Sequence, residues 1–87
     1  MTELSGTIIS SLTEEPLAGV KLVVDNEVIT ATDANGSFSL FLHPGKHKVW
    51  VKMNGKDSEL VVKLNEKHKD LKLIRLDPYK KNKLTFD

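Results

Sequence analysis

Apolar residues recur at every second position in short runs, and turn-forming residues separate the runs. No stretch carries the i, i+3, i+4 spacing of an amphipathic helix. A period of two puts alternate side chains on opposite faces of a strand, so the pattern predicts successive half-buried strands. The first covers Leu4–Ser10, with Leu4, Gly6 and Ile8 on one face, and Leu12–Pro16 turns the chain. The second, Leu17–Val24, points Val20, Leu22 and Val24 inward. Asp25-Asn26 connects it tightly to the third, Val28–Thr32, because both residues tolerate a left-handed backbone. Asp33-Ala34-Asn35-Gly36 then turns into the fourth, Ser37–Leu42, where Phe38, Leu40 and Leu42 alternate with Ser37, Ser39 and Phe41.

Pro44-Gly45 reads as the centre of the next turn, with Pro presetting one φ and Gly accepting a positive φ at the other. The fifth strand, His47–Met53, places His47, Val49, Val51 and Met53 on one face and Lys48, Trp50 and Lys52 on the other. Taken as a hairpin, this turn sets Leu42 opposite His47 and brings Phe41 diagonally beside Trp50. Asn54-Gly55 is the strongest hairpin signal in the chain and leads into the sixth strand, Ser58–Leu64, with Leu60, Val62 and Leu64 inward. After a polar turn over Asn65–Asp70, the seventh strand, Leu71–Leu76, breaks alternation at Leu73-Ile74, which predicts a bulge there. Asp77-Pro78 ends the sheet because proline cannot donate to the ladder. Residues 1–77 are therefore expected to form the domain, and residues 78–87 a basic tail or linker.

Seven short strands without a helix predict an all-β sandwich or barrel. The length of 87 residues allows a single domain, and 39% hydrophobic with 29% charged residues excludes a low-complexity disordered chain. A net charge of +1 does not call for a nucleic-acid partner. The absence of cysteine excludes disulfides and thiolate metal sites. No apolar run approaches the ~20 residues of a membrane-spanning helix, so no membrane insertion is expected. The first residues show no basic stretch followed by an apolar one, as a signal peptide would. The chain is expected to be intracellular or a piece of a longer protein.

Gly6, Pro16-Leu17-Ala18-Gly19, Thr32-Asp33-Ala34-Asn35-Gly36-Ser37-Phe38 and Pro44-Gly45-Lys46-His47 follow one another in an order and spacing that cover Leu4 to about Leu76. This series resembles the carboxypeptidase regulatory-like domain, a transthyretin-like Greek-key sandwich of seven strands. His47 departs from the family pattern, which has an inward tyrosine at that corner. The resemblance implies an accessory module, found beside carboxypeptidases and in receptors, surface proteins and secretion spikes. It also favours an extracellular or cell-envelope parent protein. A shared fold does not by itself transfer a function.

Candidate chemistry is sparse. Asp33-Ala34-Asn35-Gly36 looks like the start of a calcium loop, but the twelfth position counted from Asp33 is Pro44, where a bidentate Glu is required. Turn chemistry, with Asp33 and Asn35 bonding the backbone and Gly36 supplying a positive φ, is the simpler reading. His43 and His47 flank the Pro44-Gly45 turn and His68 lies in another loop, so no metal or other cofactor is expected. No serine accompanies a His-Asp pair, and Glu14-Glu15 sits in a turn without an apolar pocket, so no catalysis is expected. Lys80, Lys81 and Lys83 form too short a basic run for nucleic acid or an anionic membrane.

Phe41 and Trp50 on the supposed solvent face, flanked by Lys48 and Lys52, remain to be accounted for. Either Leu84-Thr85-Phe86 of the tail fold back over them, or that face is the inner one, or they form a docking patch. The expected role is a non-catalytic accessory or adaptor domain whose partner is another protein or domain. A carbohydrate-binding module using Trp50 is the alternative, and a regulatory domain of a metallocarboxypeptidase a weaker one.

Overall fold

The computed structural model describes every residue, Met1–Asp87, and contains eight strands. In chain order they are β1 (Thr2–Ser10), β2 (Lys21–Val24), β3 (Glu27–Ala31), β4 (Ser37–Leu42), β5 (Gly45–Met53), β6 (Lys56–Leu64), β7 (His68–Leu76) and β8 (Lys83–Phe86). They form a three-stranded sheet in the order β4-β1-β7 and a five-stranded sheet in the order β3-β2-β5-β6-β8. The inner faces close on one core, in which Leu4, Ile8 and Ile74 share a cluster with Leu22, Val51 and Leu60. The alternation along β4, β5 and β6 supplies that core: Phe38, Leu40 and Leu42, then Val49, Val51 and Met53, then Leu60, Val62 and Leu64 are all buried.

Local turn chemistry sets two hairpins of the larger sheet. Asp25 and Asn26 adopt φ of 52° and 65° between β2 and β3, while Asn54 and Gly55 adopt 50° and 72° between β5 and β6. Two consecutive left-handed residues match the right-handed twist of the strands they join.

The connection from β4 to β5 is not a hairpin. β4 pairs with β1, whereas β5 pairs with β2 and β6, so the chain changes sheets at His43-Pro44. Alternation specifies which side chains face the core but not which sheet presents them, and Leu42 and Val49 point inward in either arrangement. At the corner, Gly45 takes φ of 124° and already pairs with Leu64. The His47 ring reaches back through Nε2 to the His43 carbonyl oxygen at 2.7 Å.

The strand count is eight rather than seven, because the segment expected as a tail carries β8, which runs parallel to β6. Asn82 anchors the approach: its backbone N–H and its Nδ2 both donate to Ser58 Oγ at 2.9 Å, and its carbonyl accepts the Glu59 N–H at 2.8 Å. Leu84 and Phe86 then pack, half-buried, against the core instead of lying over Trp50. Lys69, which pairs with Leu4 across β7 and β1, donates its ammonium to the carbonyl oxygen of Asp87.

The predicted irregularity in β7 is present slightly earlier than expected. Ser5 pairs with Asp70 and Thr7 with Leu73, leaving an extra residue around Lys72, whose φ is 62°. Asp70 Oδ1 accepts the Lys72 N–H at 2.9 Å and holds this conformation. As a result Leu73 faces solvent, 53% exposed, and Ile74 turns into the core.

Candidate functional site

The residues of the sequence motif converge on one corner of the sandwich. Thr32 is buried, and its Oγ1 donates to the Leu17 carbonyl at 2.6 Å while accepting the Val20 N–H at 2.9 Å. Backbone bonds from Gly19 N–H to the Thr32 carbonyl and from Thr32 N–H to the Val20 carbonyl complete the clasp. The Leu17 N–H bonds the Ile8 carbonyl, and the Ile8 N–H bonds the Gly36 carbonyl. Gly36 stands at φ 77°, where a β-carbon would overlap the Ile8 carbonyl oxygen. Asp33 Oδ1 accepts the N–H groups of Asn35 at 2.8 Å and Ser37 at 2.9 Å. These bonds hold the Pro16–Val20 loop to β1 and to Thr32, and Asp33 closes the turn into β4, so the motif acts as architecture.

The outer face of the five-stranded sheet is different. Trp50 is half-buried there, with Val23 as its partner on β2 and Glu59 as its partner on β6. Val23 pairs in turn with Val28 on the edge strand β3, so Val28, Val23 and Trp50 form an apolar row across three strands. Val61, diagonal to Trp50 on β6, extends it. Val23 and Val61 are buried although they face away from the core, whereas Val28 is 60% exposed. A shallow groove of about 540 Å³ runs along Val23, Val28 and Trp50, with Lys21, Lys52 and Asp57 at its rim.

Lys48 and Lys52 flank Trp50 on the same face, and Lys52 lies 3.6 Å from Asp57. The Glu59 side chain is only 13% exposed; its Oε2 has no hydrogen-bond partner and sits 3.8 Å from Lys83 Nζ. Phe41 does not join this group. It is 60% exposed on β4, opposite Glu3 of β1, and therefore lies on the outer face of the other sheet. The expected Phe41–Trp50 neighbourhood depended on the β4–β5 hairpin, which the change of sheet removes. Val23 and Val61 had a signal in the sequence: the doublets Val23-Val24 and Val61-Val62 put apolar residues on both faces of their strands.

The remaining ionisable groups are dispersed. His43 and His47 lie at the β4–β5 corner, and His68 is on β7 beside Glu3, with Nδ1 3.8 Å from its carboxylate. Arg75 forks onto Glu14 at 2.9 and 3.3 Å, which raises its already high pKa. The Lys72 N–H holds the Asp70 carboxyl below the usual range against the opposing effect of desolvation, with smaller help from the Lys72 ammonium. The widest depression, about 760 Å³, lies between the Pro16–Val20 loop and the Lys52–Asp57 hairpin; it has no serine, cysteine or histidine in its lining.

The same architecture occurs in solved proteins of diverse activity. The 5-hydroxyisourate hydrolase of Klebsiella pneumoniae is similar over 92% of this chain and 93% of its own, at 22% identity and a TM-score of 0.63. BcpA, the major pilin subunit of Bacillus cereus, is similar over 92% of this chain, which spans 30% of the pilin chain, at 18% identity and a TM-score of 0.62. The C-terminal domain of the Caf1A usher covers 95% of this chain and 91% of its own at 18% identity, with a TM-score of 0.55. These likenesses establish a transthyretin-like all-β sandwich. No curated protein matches the sequence. The model of the CarboxypepD_reg-like domain matches residues 4–84, nearly the whole chain, and the protein therefore belongs to that family.

Proposed function

We propose that this domain is a non-catalytic accessory module that makes protein–protein contact within a larger assembly through the outer face of its five-stranded sheet. The observation that carries this reading is Trp50, half-buried in the row Val28-Val23-Trp50 on the outer face of the sheet, where Val28 is left exposed. Tryptophan is enriched at the energetic centres of interfaces, and an apolar row rimmed by charge is the usual composition of such a centre. The likeness to a pilin subunit and to an usher domain, whose hydrophobic surface clusters are important for F1 antigen assembly, supports a role in assembly and a cell-envelope setting. Dispersal of the histidines and commitment of the Asp33 and Thr32 side chains to the backbone support the non-catalytic reading.

Replacing Lys48 with a photo-crosslinking residue in the producing cells tests it. A discrete crosslinked protein is expected from position 48 and none from Ser39, on the opposite outer face. Equal crosslinking from both positions, or none from 48, would refute the assignment. Turnover of 5-hydroxyisourate or of peptide esters by the purified chain would refute the non-catalytic reading.

One observation favours carbohydrate instead: the outer face carries an aromatic ring, Trp50, on which a sugar can stack. Retardation of the wild type, but not Trp50→Ala, in gels containing soluble polysaccharide would support that reading.

A further inference from the structure

The Trp50 face also differs from the rest of the molecule in charge. The register of β2, β5, β6 and β8 places Lys21, Lys46, Lys48, Lys52, Lys63 and Lys83 on this face, and Asp57 and Glu59 as its carboxylates. The whole chain is nearly neutral at +1, so positive charge is concentrated here. Both carboxylates are already matched, Asp57 with Lys52 and Glu59 with Lys83. Lys21, Lys46, Lys48 and Lys63 are exposed and take part in no ion pair.

An unmatched set of lysines around an apolar row has a definite complement. We infer that the partner presents aspartate or glutamate side chains around one or two large apolar residues, the apolar part seating on Val28 and Trp50 and the carboxylates reaching Lys21 and Lys48. This rests on the contact role proposed above and adds the partner's chemistry. The centre favours a protein over an anionic glycan. Branched aliphatic side chains flank a single, half-buried ring, whereas sugar stacking needs a flat, open aromatic face. Rim lysines of this kind act mainly on encounter rate and partner choice, while the apolar centre holds the complex.

Selection of random twelve-residue peptides on the immobilised chain, followed by affinity measurement of the enriched peptides, tests the inference. The enriched peptides are expected to combine acidic residues with an aromatic or leucine. Their affinity is expected to fall at least tenfold in Trp50→Ala and at least fivefold in the double charge reversal Lys21→Glu with Lys48→Glu. It should weaken between 50 and 500 mM salt, because exposed charges are screened, and Phe41→Ala should leave it unchanged. The two lysines are exposed, so the charge reversal keeps the test valid if Trp50→Ala unfolds. Enriched peptides that depend on Trp50 but are neutral or basic would overturn the acidic partner and leave the contact face standing. Peptides indifferent to Trp50, or no enrichment, would overturn both. Trp50-dependent binding of a polyuronate oligosaccharide without any acidic peptide would overturn the choice of a protein.

Discussion

Gly36→Ala adds one methyl group at the position where the motif corner is tightest. The residue sits at φ 77°, and the new β-carbon would overlap the Ile8 carbonyl oxygen, with Pro16 Cβ at 3.2 Å and Leu17 N at 3.3 Å. Two costs combine. A left-handed backbone costs an alanine about 1–2 kcal/mol, and forcing an atom into a packed site costs about 1–3 kcal/mol more. The obstacle is backbone on β1, and moving it loosens the bonds from Leu17 N–H to the Ile8 carbonyl and from Ile8 N–H to the Gly36 carbonyl. The expected loss is about 2–5 kcal/mol, against a total of roughly 4–13 kcal/mol for a domain of this length.

Urea denaturation followed by Trp50 fluorescence measures the loss, and the melting temperature should fall by on the order of 10–40 °C. Gly55→Ala separates the two costs, because Gly55 has nearly the same φ, 72°, with nothing within 4 Å of its added β-carbon. It should lose only about 1–2 kcal/mol. Equal losses for the two variants would show that the overlap with Ile8 contributes nothing and would refute the account of the corner.

Thr32→Val keeps the shape but leaves the Val20 N–H and the Leu17 carbonyl without their side-chain partner, so it should cost about 2–3 kcal/mol in the same urea assay. Thr32→Ser should recover most of this. Deleting residues 83–87 removes the half-buried Leu84 and Phe86 and should cost about 1–3 kcal/mol. The emission maximum of Trp50 should barely move, since β6 lies between β8 and β5; a large red shift would mean that the terminal strand shields the ring.

Much of this fold is written locally. The inward residues of β4, β5 and β6 follow from period two alone, and the turns at Asp25-Asn26 and Asn54-Gly55 follow from residues that accept a left-handed backbone. What escapes sequence reading is partner choice. The β1–β7 and β6–β8 ladders are parallel and join segments far apart in the chain, and no local signal encodes them. β8 has only Leu84 and Phe86 as apolar positions, too few to show a period, and its order derives from Asn82 meeting Ser58 across the structure. The candidate site was half legible for the same reason. Trp50, Lys48 and Lys52 lie on one strand and stay together, whereas Phe41 was attached to them through a hairpin that long-range pairing replaces.

The Lys69 ammonium, bonded to the Asp87 carbonyl while its backbone pairs with Leu4, brings the entry into β1 and the exit from β8 to the same pole of the sandwich. A polypeptide can therefore enter and leave this unit on one side, as a loop insertion requires, without threading through the fold. The two ends can equally be spliced by a short linker and the chain reopened at the exposed Asn54-Gly55 tip, giving a circular order of strands with every other pairing kept. The Trp50 row lies on a flank of the sandwich rather than at that pole, so a host carrying the unit in this way would leave the row facing outward.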